Sequence, residues 1–85
     1  MLGSSAKKDE LGEYLAANVR RLRKDRKLSQ AELASALGVD PAAISLIELK
    51  RSNPTVSMLD AIATALKTTS AELLTRYRRA QTKAH

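Results

Sequence analysis

Apolar residues recur along this chain at intervals of three and four, and no stretch keeps the strict alternation of a half-buried strand. Leu11, Leu15, Val19 and Leu22 fall on one stripe, which predicts a first helix from about Asp9 to Arg26. Ser29-Gln30-Ala31-Glu32 is a capping box, because the Ser29 hydroxyl can accept from the Glu32 amide while the Glu32 carboxylate reaches back. It opens a second helix, Gln30 to Leu37, which Gly38 ends by entering the left-handed conformation without steric cost.

Asp40 then stands as a cap with Pro41 at the first helical position, where no amide donor is needed. The third helix carries Ile44 and Ile47 inward and ends near Leu49. A polar loop, Lys50 to Pro54, follows. Thr55 caps a fourth helix containing Leu59, Ile62, Ala63 and Leu66. Thr69-Ser70-Ala71-Glu72 is a second capping box, opening a fifth helix with Leu73, Leu74 and Tyr77. Five short helices with short connections predict an all-α domain over residues 9–79 around one core. Residues 1–8 read as a disordered lead-in and residues 80–85 as a flexible C-terminus.

Composition narrows the function. The 85 residues hold 15 Lys and Arg against 9 Asp and Glu, a net charge of +6. There is no cysteine, which removes disulfides, thiolate zinc sites and cysteine nucleophiles. The single histidine is His85, and a chain end is a poor place for a general base. No catalytic residue, metal site or cofactor is expected, and the chain does not read as an enzyme. No apolar run approaches the ~20 residues of a membrane span. The first ten residues lack the order of a signal peptide. The expectation is a cytoplasmic protein with a polyanionic partner, most simply nucleic acid.

The two helices between Gln30 and Leu49 have the length and punctuation of a helix-turn-helix. Ala34 is small where the next helix crosses it, Gly38 makes the turn, and Val39, Ile44 and Ile47 fill the angle between the helices. An ordinary helical hairpin would show the same punctuation by chance. From about Val19 to Leu74, however, the chain resembles the Cro/cI-type helix-turn-helix domain of phage repressors, a group that includes restriction–modification controller proteins. The stretches that carry the resemblance are VRRLRKDRKLSQAELASALGV, ISLIE, RSNPT and LDAIATALKTTSAELL.

The resemblance implies a five-helix, lambda-repressor-like fold that binds double-stranded DNA as a homodimer in transcriptional control. It implies that Gln30 contacts a phosphate at the N-terminus of the second helix. The third helix, residues 41–49, would enter the major groove with Pro41, Ala42 and Ala43, then Ser45 and Leu46, near base edges. Arg51 and Asn53 would hold the backbone. Two departures stand out: Lys50 and Lys67 occupy positions where the family often has glycine. Each lysine either carries left-handed strain or the turn differs, and at Lys50 the gain would be a further phosphate contact.

On the third helix, Ala42, Ser45, Leu46 and Leu49 form the outer face, without the Arg, Lys, Gln or Asn that usually read guanine and adenine. Three readings stay open: Ala42 and Leu46 touch thymine methyls, the exposed leucines have no role, or Leu46 and Leu49 form a protein-binding patch. The basic run Arg20, Arg21, Arg23, Lys24, Arg26 and Lys27 partly offsets the dipole at the end of the first helix. The remainder adds a general field, with Lys27 nearest Gln30.

Arg23 shares the stripe of Val19, and Glu48 follows Ile44 by four, so the two charges are expected to meet between the first and third helices. The resemblance implies the same pair. Leu74 and Tyr77, three apart, exceed what one small core absorbs; with Met58 they are expected to form a two-fold interface, the region through which related domains dimerise. The competing function is a protein-interaction module such as the antitoxin of a toxin–antitoxin pair, with DNA binding secondary. No small-molecule ligand and no membrane partner are expected.

Overall fold

A computed structural model describes the backbone of residues 2–77 and the side chains of residues 10–77. Among the described residues all regular structure is helical: α1 (Leu2–Asp25), α2 (Gln30–Leu37), α3 (Pro41–Glu48), α4 (Val56–Ala65) and α5 (Ser70–Leu73). This is the all-α, five-helix, lambda-repressor-like arrangement. Helix α1 begins at Leu2 rather than near Asp9, so the expected disordered lead-in over residues 1–8 is corrected from Leu2 onward. The segment holds no proline, and Ala6, Lys7 and Lys8 are strong helix formers that let the pattern extend backwards. The expected flexible tail, residues 80–85, lies outside the described residues. No described helix is long and apolar enough to cross a membrane.

Four of the helices end in the same way. In each, a residue one or two positions past the helix has a positive φ: Lys27 at 58°, Gly38 at 72°, Lys50 at 62° and Lys67 at 58°. Paired backbone bonds close each turn. Lys27 N–H donates to Lys24 O at 2.9 Å and Leu28 N–H to Arg23 O at 3.0 Å. The same pair recurs as Lys50 to Ile47 and Arg51 to Leu46 after α3, and as Lys67 to Thr64 and Thr68 to Ala63 after α4. These are Schellman closures, which normally favour glycine. Of the two alternatives for Lys50 and Lys67, the left-handed conformation is the one adopted, and Lys27 adds a third case. A lysine there offsets some strain by placing a cation at the negative end of the helix dipole.

The core gathers Leu15 and Val19 from α1, Leu33 and Ala34 from α2, Ile44 and Ile47 from α3, Ile62 and Ala63 from α4, Leu66 after it, and Leu73 of α5. Helix α2 packs on α3 and α4, while α1 packs on α3 and α5. Leu11, expected in the buried stripe, is 49% exposed and lies at the edge of the core.

Helix α5 ends at Leu73, with Leu74 as its C-cap, so Leu74 and Tyr77 do not share a helix face as expected. Thr69 accepts from the Glu72 amide, the forward half of the expected box. The segment after α5 is instead tied to α1. Buried Asn18 donates from its side-chain amide to the carbonyls of Glu72, Leu73 and Thr75 at 3.2, 2.9 and 2.8 Å, and accepts from Arg21 Nη2 at 3.0 Å. The Arg21 guanidinium in turn lies 3.7 Å from the centroid of the Tyr77 ring.

Relief of the left-handed strain is measurable at exposed Lys67. Left-handed geometry costs a non-glycine residue ~1–2 kcal/mol, and glycine returns part of that through the entropy of the unfolded chain. Lys67→Gly is expected to raise stability by up to about 1 kcal/mol and the melting temperature by several degrees, read by thermal circular dichroism. An unchanged or lower midpoint would show that the lysine turn is unstrained.

Candidate nucleic-acid interface

Helix α2 is opened by a complete capping box: Ser29 Oγ accepts from Glu32 N–H at 2.9 Å, and Ser29 N–H donates to Glu32 Oε1 at 2.8 Å. Gly38 closes it, with Val39 N–H donating to Ala34 O at 3.0 Å. Ala34 is fully buried under the crossing of α3. Asp40 stands at the N-cap of α3 with extended backbone but makes no side-chain cap bond, so Pro41 at the first turn and the packing of Ile44 and Ile47 set the start of this helix.

The ion pair expected between α1 and α3 is formed. Arg23 Nε donates to Glu48 Oε2 at 2.7 Å and Arg23 Nη2 to Glu48 Oε1 at 3.0 Å, a bidentate pair with side chains 10% and 5% exposed. Arg23 Nη1 also donates to Leu28 O at 2.8 Å, holding the turn ahead of α2. Gln30 Nε2 donates to Glu48 Oε1 at 3.0 Å. One carboxylate thus ties together α1, the start of α2 and the end of α3. Burial pushes the Glu48 carboxyl up, but hydrogen bonds from Arg23 and Gln30 and the charges of Arg23 and Arg20 outweigh it and hold the group below its ordinary value. The Glu48 hydrogen bond raises Arg23 above its ordinary value against a smaller opposing effect of burial.

The face of α3 turned away from this anchor is open. Pro41, Ala42, Leu46 and Leu49 are exposed, and Ala43 and Ser45 are half-buried. Gln30 is half-buried, and one of its amide protons is already engaged by Glu48. Arg51, Asn53 and Lys27 are exposed. Lys50 is exposed too, with its ammonium 3.3 Å from Glu13 Oε2, a surface pair worth little and easily exchanged for another anion.

The basic run divides in a way its composition hides. Arg23 and Arg21 are structural, and Arg26 Nε donates to Leu66 O at 2.9 Å, closing the C-terminus of α4. Arg20, Lys24 and Lys27 stay exposed on the surface. Neither Asn18 nor the Arg26 bond was foreseen. An asparagine inside an apolar stripe between Leu15 and Val19 was the available signal for the first; nothing in the sequence pointed to the second.

Met58 and Leu74 are half-buried against the core, and Tyr77 is 51% exposed. Beside them an apolar groove of about 320 Å³ opens between α1 and the α4–α5 region, lined by Leu11, Gly12, Leu15, Asn53, Pro54, Leu59 and Leu74.

The lowered Glu48 carboxyl fixes the sign of an acid effect. Its stabilisation is fully present above the unfolded value, about pH 4.3, and is lost as pH falls through the lower folded value. Glu48→Gln is expected to cost on the order of 3 kcal/mol at neutral pH, because Arg23 is left without its counter-charge. In denaturant titrations the gap between wild type and variant narrows as pH drops below about 4. Parallel curves would show that the charge on Glu48 does not hold the helices together.

Residues 19–73 match the helix-turn-helix family. The chain is 42% identical over 67 residues to the control protein C.SmaI of Serratia marcescens, covering 79% of this chain and 80% of that protein. Its fold is similar to the hypothetical transcription factor NHTF from Neisseria, with a TM-score of 0.75, 36% identity, and coverage of 78% of this chain and 76% of that one. It is also similar to the restriction–modification controller protein C.AhdI from Aeromonas hydrophila, with a TM-score of 0.69, 29% identity, and coverage of 73% and 94%. The chain belongs to the Cro/cI-type helix-turn-helix family of DNA-binding transcriptional regulators.

Proposed function

We propose that this protein binds an operator in double-stranded DNA as a cytoplasmic homodimer, with α3 in the major groove. The observation that carries the reading is the open face of α3, held from behind by the Arg23–Glu48–Gln30 cluster. A helix anchored on one side and bare on the other is what groove entry requires. Pro41, Ala42, Ala43, Ser45 and Leu46 are then the groove-facing set. Lys27, Gln30, Lys50, Arg51 and Asn53 serve the phosphates, which fix affinity and register rather than sequence. The second proton of the Gln30 amide is the one offered to phosphate, since the first is held by Glu48.

Met58, Leu74 and Tyr77, with the apolar groove at Leu11, Pro54 and Leu59, supply the two-fold contact in this reading. It sets two copies of α3 about one DNA turn apart, roughly 34 Å. The similarity to control protein C.SmaI and to C.AhdI supports a controller role of the kind their names describe. A second reading, an antitoxin-like protein contact, draws on the exposure of Leu46 at 41% and Leu49 at 59%.

Selection of bound duplexes from a random pool, followed by anisotropy titration on the enriched site, tests the proposal. A two-fold symmetric site is expected, with affinity falling steeply as salt rises, each neutralised phosphate contributing a slope of about −0.9. Arg51→Ala is expected to weaken enriched and scrambled duplexes nearly equally and to reduce the slope by about one. A flat selection, with no preferred site at moderate salt, would overturn operator binding. A monomeric sedimentation profile on the bound duplex would overturn the dimer.

A further inference from the structure

The outer face of α3 presents alkyl groups where a base reader would stand. At about 100° per residue, Ala42, Ser45, Leu46 and Leu49 fall within roughly one third of the helix circumference. Ala42, Leu46 and Leu49 are exposed, and the half-buried Ser45 hydroxyl is the polar side chain of this arc. Such a face cannot form the bidentate pairings by which arginine selects guanine or asparagine and glutamine select adenine. Leu49 sits at the C-cap, beside a crevice lined by Glu13, Ala17, Arg20 and Lys50, at the end of the helix away from the bases. That leaves Leu46, with Ala42 one turn before it, as the side chain best placed against base edges.

The major groove offers an alkyl side chain one apolar feature, the methyl on C5 of thymine. 5-Methylcytosine carries the same methyl on the same ring carbon. The two bases differ at C4, where one presents an acceptor and the other a donor, and a leucine makes hydrogen bonds with neither.

We infer that Leu46 determines sequence preference and that its ligand is the C5-methyl of a pyrimidine, from thymine or from 5-methylcytosine alike. The inference rests on the operator-binding reading above and deepens it. It makes DNA cytosine methylation a signal this protein senses directly: a methylated cytosine at the Leu46 position binds as thymine does, and an unmethylated one does not. Removing one methyl from contact with Leu46 is worth about fourfold in affinity, the equivalent of ~0.8 kcal/mol.

The test uses the whole protein and the duplex enriched by selection. Each thymine in turn is replaced by deoxyuridine, which deletes the methyl and leaves every hydrogen-bonding group in place. At positions that respond, the A·T pair is then replaced by G·C with the cytosine either methylated at C5 or unmodified. About fourfold weaker binding is expected for deoxyuridine at one or two thymines per half-site. A similar gain is expected for 5-methylcytosine over cytosine at the same positions. Leu46→Ala, at an exposed site where folding is checked by circular dichroism, is expected to erase both differences.

Deoxyuridine equal to thymine throughout, on a duplex still preferred over scrambled DNA, would overturn the inference and leave operator binding intact. A deoxyuridine effect without a 5-methylcytosine gain would overturn the equivalence of the two sources. A methyl effect that survives Leu46→Ala would remove Leu46 from the role. The lack of any preferred duplex would overturn this inference and operator binding together.

Discussion

The structure turns on a single buried carboxylate. Glu48 accepts two bonds from Arg23 of α1 and one from Gln30 at the head of α2, while itself belonging to α3. A charge placed there costs energy unless every lone pair is used and a counter-charge is close. Satisfying it therefore fixes three helices relative to one another. Burial of Ile44 and Ile47 decides which side of α3 faces the core. The bidentate pair adds a directional contact that fixes the register of α3 against α1 and α2.

Helix termination is the second constraint. The four connections from α1 to α5 each turn on a left-handed residue, and three of these are lysines rather than glycines. The paired amide-to-carbonyl bonds that close the turns give the backbone a reason to enter this geometry despite the strain. Side chains brace two of the three lysine turns, Arg23 on Leu28 O beside Lys27 and Arg26 on Leu66 O beside Lys67, while Asn18 closes the end of α5 on the carbonyls around Leu73. Arg21, Arg23 and Arg26 of the basic run are thus engaged within the fold, so its charge overstates what is left for a phosphate backbone.

What was legible in the sequence followed local chemistry. The Ser29–Glu32 box, Gly38, Pro41 and Thr55 each act within a few residues, so α2, α3 and α4 were placed to within a residue. The Arg23–Glu48 pair was legible because each charge interrupts an apolar stripe. Misreadings arose where distant contacts decide. Nothing nearby marks the start of α1, Leu11 obeys the stripe but lines an open groove rather than the closed core, and Tyr77 lies off the helix pattern where Asn18 and Arg21 hold the chain after Leu73. The groove-facing residues follow from family resemblance and helical period; Pro41, Ala42 and Leu46 among them are exposed, and Ala43 and Ser45 are half-buried.

The central claim is that the Glu48 cluster turns the Ala42–Leu46 face of α3 into the major groove. The chain has no cysteine, so one introduced thiol reports without background. The direct measurement is disulfide cross-linking to operator duplex carrying a thiol tethered to a base in the major groove. Ala42→Cys is expected to cross-link rapidly, and Ala61→Cys, on the exposed side of α4, to stay at the level of random collision. Equal rates at the two positions, or faster capture at Ala61→Cys, would contradict the claim.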